Sequence, residues 1–568
     1  MNRREFIGSA AAFSTLGCWS FGPGAKPLFK VGIMTDTHVG SWFTKDASRV
    51  RRAAELFKRE GVDAIVNVGD ICDRHEPKFY ADYRRTVDAV FPPELPHPTE
   101  YFVYAWHDTY AYKGHPRDQA RADQDAAFAD VERYLRAANP PEFETAIRGY
   151  PLVFVRQFIS IAKLEEMIVR AERAHPGKPV FVFDHVAPTG TSSGSESWGS
   201  TERREMLNGH PRVIHISGHT HGTLRNERNI WQGEFTAVNA GCLQIWGNAR
   251  THAYGVLVME VREDAVTFRR LDVRDGRELG EAWRVPLPFD PKTAPYRLEN
   301  RRLRNPQAPE FPAGAAMTLA FTGTGGRTAE LSFPHASGDV RSYRYALHAE
   351  RLTADGRAEN LFGSKTLGDF FLSDADRAKG AKFAFPAAYL DAGARVRLTV
   401  TPCGFFDQTG RPLVLEAVGP EPRDGAVCVF DSRDPVGEMD LAPGPGSGAI
   451  YKRDGWWRCD GRMVGKLLLP AEATSAADPS MIRVIVDLRT ECAPGERYMT
   501  CIAGADNPDG IHLSKTVTLA ESGLSCRAVF EYEPGNRAPV HCVYTYVNGL
   551  KAAGVRFERV RIYRKFAK

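Results

Sequence analysis

Two histidines flank a single threonine at Gly218-His219-Thr220-His221, directly after the apolar run Val213-Ile214-His215-Ile216. The run reads as a buried strand, and Gly218 opens a sharp turn at its end. Histidine is the commonest metal ligand near neutral pH, and a strand-end pair of this kind can serve two adjacent ions. Four other blocks lie upstream, each at the end of an apolar run. They are Asp36-Thr37-His38, Gly69-Asp70 with Asp73 and Arg74 just behind, Trp106-His107-Asp108, and Asp184-His185. Asp36, His38, Asp70, His107, His185, His219 and His221 make a mixed carboxylate–imidazole set, which suits Mn, Fe, Zn or Ni better than Ca or Mg. A carboxylate such as Asp70 can bridge two ions. Two ions roughly 3.5–4 Å apart clamp the attacking and leaving oxygens of a phosphoester displacement and lower the pKa of a bound water.

Such residues need strand ends to hold them. Residues 28–36 read as a short strand ending in a carboxylate. Val50, Ala53, Ala54 and Phe57 then recur at helical spacing, and Gly61 closes that helix. Residues 64–68 read as a buried parallel strand, so the order is strand, helix, strand, and in open α/β sheets the active site lies at the carboxyl ends of the strands. Residues 101–105, 152–155 and 179–183 are further strands. Phe128, Val131 and Leu135 mark one intervening helix, and Leu164, Met167, Ile168 and Ala171 another. The Ser- and Gly-rich stretch 189–199 is expected to be a mobile loop. A strand at 235–239 runs into a small-residue turn, two more strands fall near 253–260 and 265–271, and Pro286, Pro288, Pro291 and Pro295 suggest a linker.

The ordered blocks resemble those of the calcineurin-like metallophosphoesterases over about residues 28–285. The resemblance implies an α/β fold, a four-layer α/β/β/α metallophosphoesterase sandwich, and a hydrolase with two divalent metal ions. By this resemblance Asp36, His38 and His221 would hold one ion, Asp70 would bridge, and His185 and His219 would hold the second. His107 would contact the phosphate and protonate the leaving oxygen, Asp108 would orient its ring, and Asp73 and Arg74 would stand behind the ligands. The family places Gly-Asn before the catalytic histidine, with the Asn amide oxygen on the second metal. Here Ala105 and Trp106 stand there, and an indole offers a donor but no ligand atom. Several outcomes are open. Water or Asp108 replaces the Asn, the second metal binds weakly, the chain is a degenerate binding module, or Trp106 stacks on an aromatic or sugar group of the substrate.

The chain has 568 residues, too many for one core. The expected divisions are an export signal at 1–27, the metallophosphoesterase domain at 28–290, and two all-β sandwich domains. The first of these, 297–420, is fibronectin type III-like; the second, 424–568, is jelly-roll-like. Periodicity switches from helical to alternating after the prolines, as in Val396-Arg397-Leu398-Thr399-Val400. Arg3-Arg4 followed by Phe6-Ile7 and a mild apolar stretch to Gly17 resembles a twin-arginine export signal, which implies a periplasmic or cell-surface protein. Leu16-Gly17-Cys18 adds a loose lipoprotein-like site. No other segment is long and apolar enough to span a bilayer. Net charge is +4 with no basic stripe, so nucleic acid is not an expected partner. The partner implied is a phosphoester of unstated identity. Trp456-Trp457 makes a glycan platform on the C-terminal domains an alternative function. Seven of the ten cysteines lie beyond residue 400, where an oxidising compartment would permit disulfides.

Overall fold

The computed structural model describes residues 26–41, 47–114, 123–244, 254–323, 326–336, 340–372, 377–420 and 425–433. Beyond these it describes 447–453, 456–461, 463–469, 471–474, 480–490, 497–504, 511–518, 525–532, 540–547 and 555–564. The expected export signal and Cys18 lie outside the described residues. The chain divides into two compact units that are not contiguous in sequence. One runs up to Val186 and resumes at His210–Arg225 and Val238–Ala294. The other takes Ala187–Gly209, Asn226–Ala237 and everything from Pro295 onward. The switch at 294–295 falls within the proline-rich stretch; the earlier exchanges carry no sequence signal of their own.

In the first unit, one sheet holds β1 (Phe29–Met34), β2 (Ala64–Asn67) and β3 (Thr99–Phe102), which are parallel to one another. The second sheet contains β4 (Phe143–Ile147), β5 (Tyr150–Phe154), β6 (Val180–Phe183) and β7 (Val213–Ser217), the last three parallel. A short β8 (Ile230–Gln232) belongs to the other unit, and β9 (Thr236–Asn239) follows it, ending in the first unit beside β7. The first sheet is completed by antiparallel β10 (Gly255–Val261), β11 (Ala265–Asp272) and β12 (Trp283–Pro286), in the order β12-β11-β10-β1-β2-β3. Pro286 is therefore the last residue of a paired strand, with Trp283 fully buried in it, and the linker starts later than the prolines suggest.

Among the described residues four α-helices cover this unit: α1 (Ser48–Glu60), α2 (Pro77–Asp88), α3 (Gln124–Leu135) and α4 (Ile161–Ala174). Their buried faces are those expected from spacing: Val50, Ala53, Ala54 and Phe57 on α1, and Leu164, Met167, Ile168 and Ala171 on α4. Gly61 ends α1 at φ 63°, a left-handed position that favours glycine. Helix α2 is additional to the expected set; Pro at its first turn starts it. Between the sheets, the rings of Tyr101 and Phe154 stack at 4.9 Å, and within the second sheet Phe154 stacks on its paired neighbour Phe183 at 5.0 Å. The two sheets thus meet through aromatic side chains, with helices outside, an α/β arrangement as expected.

Register brings the strand ends level. Met34 pairs with Asn67 and Asn67 with Phe102, while Phe154 pairs with Phe183 and Phe183 with Ile216. All the ligand-bearing blocks start within a few residues of these two level edges.

The second unit is all-β in its long C-terminal part. A three-stranded sheet (Thr318–Thr322, Thr328–Phe333, Ala381–Pro386) and a four-stranded sheet (Arg344–Leu352, Ala358–Leu367, Arg395–Cys403, Leu413–Val418) share one hydrophobic core, which Ile485 and Val529 of the following strands join. A six-stranded and a four-stranded sheet follow. Arg527 and Arg561 each pair with both Asp391 and Asp487, linking these strands through a buried ionic cluster. Cys403 and Cys428 are free thiols. The stretch 189–199, expected to be mobile, is instead tied down. Ser195 is buried, its hydroxyl accepts the N–H groups of Thr191 and Ser192, and Ser193 bonds the Tyr343 hydroxyl at 2.7 Å.

Candidate metal centre

Asp36 follows β1 by two residues and is fully buried. Its Oδ2 accepts from the Thr35 hydroxyl (2.8 Å) and the His219 N–H (3.0 Å), which turns Oδ1 to the centre of the cluster. There Oδ1 lies 3.0 Å from His221 Nε2 and 3.8 Å from His38 Nε2. Asp70 sits between the halves. Its Oδ1 accepts the His107 N–H (3.2 Å), and its Oδ2 lies 3.1 Å from His185 Nε2 and 3.5 Å from His38 Nε2. Among the described residues the possible ligand atoms fall into three groups, Asp36, His38, Asp70 and His221; Asp70, His185 and His219; and, more exposed, His38, Asp73 and His107; the first two match the expected ligand sets. Asp70 is common to those two.

Each imidazole is aimed by what its other nitrogen does. His185 Nδ1 donates to the Val68 carbonyl at 2.8 Å, so Nε2 faces Asp70. His38 Nδ1 stands 3.5 Å from Asp73 Oδ1, so its Nε2 faces inward. His107 Nδ1 donates to the Asp73 carbonyl at 2.7 Å, and its ring lies edge-on to His38 at 4.6 Å.

The backbone is unusual at five of these residues. Asp36, His38, Asp70, His219 and His221 all have positive φ, between 39° and 68°. Residues with a Cβ avoid this region at a cost of about 1–2 kcal/mol each, and such strain collects at functional sites. Gly69 adopts φ 89° beneath the His185 ring; a Cβ there would come within 2.7 Å of His185 Nδ1. At Gly218 a Cβ would meet Asp36 Oδ2 at 2.6 Å and Thr35 Oγ1 at 2.1 Å, so only glycine lets the His219–His221 turn reach Asp36.

Charge is balanced by protons when no cation is considered. Burial opposes ionisation of Asp36, but the pull of His221, with His38 and His185, holds its carboxyl well below the usual range. Burial likewise opposes Asp70, and His185 and His107 outweigh it. His38 is raised to about 10 despite burial, through Asp36, Asp73 and Asp70, and His185 to about 9, chiefly through Asp70. His219 goes the other way, lowered to about 4 by burial and by repulsion from His185. A divalent cation fits this arrangement. His38 Nε2 and His221 Nε2 face each other at 3.3 Å, and Asp36 Oδ1 and His185 Nε2 are buried with no aligned hydrogen-bond partner among the described residues.

Two expected roles need correction. Asp108 does not orient the His107 ring. Its Oδ1 accepts from the N–H groups of Ile71 (3.0 Å) and Cys72 (3.4 Å) and its Oδ2 from that of Ala105 (3.0 Å), so it braces the two loops that carry Asp70 and His107. Burial, with Asp70 nearby, pushes its carboxyl up to about 7. Arg74 pairs with Glu76 at 2.9 Å on the surface and not with the cluster. Trp106 lies in none of the ligand groups; its N–H donates to Gln157 Oε1 at 2.6 Å and its ring leans on Tyr110 and Phe158. Two residues have functions the spacing did not reveal. Gln157 clamps the Trp106 backbone. Asn239, at the end of β9, donates to the Gly218 carbonyl (2.7 Å) and accepts from the Gly241 N–H (3.1 Å), pinning the histidine turn. The polar end of an otherwise apolar strand was the available signal for Asn239.

Residues 29–223 match the family model described as calcineurin-like phosphoesterase. Among solved structures, the chain is similar to a dimetal phosphatase from Danio rerio, at 14% identity over 46% of this chain and 99% of that one, with a TM-score of 0.32. It is also similar to a purple acid phosphatase from yellow lupin seeds, at 12% identity over 45% of this chain and 53% of that one, TM-score 0.32. A xylan-binding domain from Paenibacillus barcinonensis is similar at 12% identity over 26% of this chain and 99% of that one, TM-score 0.18. No curated protein matches the chain.

Proposed function

Because residues 29–223 belong to the calcineurin-like phosphoesterases, we propose that this chain is a metal-dependent phosphoester hydrolase, a phosphatase or phosphodiesterase. The observation that carries the reading is the sharing of Asp70 between two groups of largely buried ligand atoms. Asp36, His38, Asp70 and His221 would hold one divalent ion, and Asp70, His185 and His219 the other. When bound, such a pair supplies an activated water and neutralises charge on the phosphoryl oxygens. The chain's own residues do the rest. With Nδ1 donating to the Asp73 carbonyl, Nε2 is the nitrogen left to reach substrate, and as the imidazolium His107 would give its Nε2 proton to the leaving oxygen and return to the neutral ring. Asp73 keeps His38 in the inward orientation, and Asp108 fixes the spacing of the loops bearing Asp70 and His107.

The two sites are unequal. One has four protein ligands, the other three, because Trp106 stands where the family has a ligating Asn. The second ion would therefore be held by fewer residues of this chain and more weakly. The twin-arginine-type N-terminus supports export of the folded protein.

The test is metal content together with hydrolysis of bis-p-nitrophenyl phosphate and p-nitrophenyl phosphate in added Mn. Turnover that disappears in Asp70→Asn is the expected result. A chain that binds one ion or none and cleaves neither ester is instead a degenerate binding module, the reading that Trp106 favours. Fractionation of the native host tests export: activity confined to the cytoplasm would refute it.

A further inference from the structure

Tyr110 borders His107, Trp106 links Tyr110 to Phe158, and Tyr110 and Phe158 face solvent. Tyr110 is 42% exposed and Phe158 41% exposed, high values for such side chains. Trp106 joins them, its centroid 5.7 Å from Tyr110 and 6.3 Å from Phe158. The row continues inward, since Tyr110 lies 6.1 Å from His107 and His107 lies 4.6 Å from His38. One aromatic series thus runs from a metal-ligand candidate to the surface. Its backbone is fixed. Gln157 takes the Trp106 N–H, the Thr109 hydroxyl donates to the Trp106 carbonyl at 3.0 Å, and the Gln157 N–H donates to the Tyr104 carbonyl at 2.9 Å.

Resting on the hydrolase reading above, we infer that Trp106, Tyr110 and Phe158 bind a planar aromatic substituent of the phosphoester, so that aryl or nucleobase-bearing esters are the substrate class. The row begins 6.1 Å from the histidine that would face the leaving oxygen, so an ester group leaving that oxygen has these rings beside it. The angles favour a flat ring. Trp106 meets Tyr110 at 45° and Phe158 at 87°, so a ring stacked on one face receives the edge of another, the arrangement aromatic pairs prefer. A flexible alkyl chain gains nothing from those angles.

Full-length Mn-loaded protein, titrated calorimetrically with phenylphosphonate and with methylphosphonate, tests this without turnover. The two anions differ in the ring. Phenylphosphonate is expected to bind about tenfold tighter, in line with stacking of a base on an aromatic side chain. Phe158→Ala and Tyr110→Ala, both at exposed positions, are expected to erode that preference and leave methylphosphonate binding in place. Trp106→Leu, which keeps bulk without the indole face, is expected to do the same. Metal content and bis-p-nitrophenyl phosphate turnover are recorded on the same samples. Two ions and turnover with equal phosphonate affinities, or a preference unchanged in all three variants, would overturn the aromatic site alone. No ion and no turnover would overturn the hydrolase reading and this one with it.

Discussion

At His107 the direction of proton delivery follows from which nitrogen is already engaged. Nδ1 donates to the Asp73 carbonyl, so His107→Ala should lower kcat by about 10²–10⁴-fold and leave both ions bound, which metal analysis beside steady-state kinetics will show. His38 and His185 carry a different consequence. Both are raised, to about 10 and about 9, so the metal-free centre is protonated at neutral pH and metal uptake must expel those protons. Affinity should rise with pH up to that range, and calorimetry in buffers of different ionisation enthalpy should register the release. Metal-free stability runs oppositely. A folded-state pKa raised from 6.5 contributes stability that is complete below pH 6.5 and lost as pH climbs through about 9 and 10. Melting of EDTA-treated protein should therefore fall across that interval, and a melting point flat from pH 6 to 10 would refute the protonated pair.

The loops after β1, β2 and β7 convert level strand ends into a cluster, and they do so through left-handed backbone at five ligand positions. This strain is tolerable when a cation rewards it. In metal-stripped protein, His219→Asn should relieve it, since Asn tolerates positive φ, and raise stability by about 1 kcal/mol. Denaturant midpoints with and without metal will separate that gain from the loss of binding. Gly218→Ala should abolish metal binding, because its methyl group would collide with Thr35 and Asp36. At this scale much was legible in advance. Each ligand candidate closes an apolar run, and the helices at 48–60 and 161–174 follow their spacing. Asp108 and Asn239 were not legible as braces, because their partners are backbone amides and carbonyls brought near only by the fold, and a carboxylate beside a histidine reads the same whether it orients the ring or a loop. Strand β12 was hidden because its terminal proline reads as linker.

For the whole chain, no helix among the described residues is long and apolar enough to cross a membrane. The division into units is discontinuous: segments 187–209 and 226–237 interrupt the first unit yet belong with the β-rich remainder. Their partners lie far downstream. Asn226 donates to the Tyr343 hydroxyl, Arg301 bonds the Glu227 carbonyl and carboxylate, and Arg228 pairs with Asp407. A chain cut at residue 294 should therefore melt below the full-length protein and expose both segments to protease, which limited proteolysis will report. Cleavage no faster than in the intact chain would contradict the division.

The same discontinuity sets a timetable for biosynthesis. Asp407 leaves the ribosome 179 residues after Arg228, roughly 10–35 s later at ordinary elongation rates. Until Arg301, Tyr343 and Asp407 have emerged in turn, the stretches that follow His185 and His221 lack these downstream partners. A premature stop codon before residue 407 would thus yield a product whose N-terminal half is already translated but whose two inserted stretches lack a downstream partner, a substrate for cellular proteases.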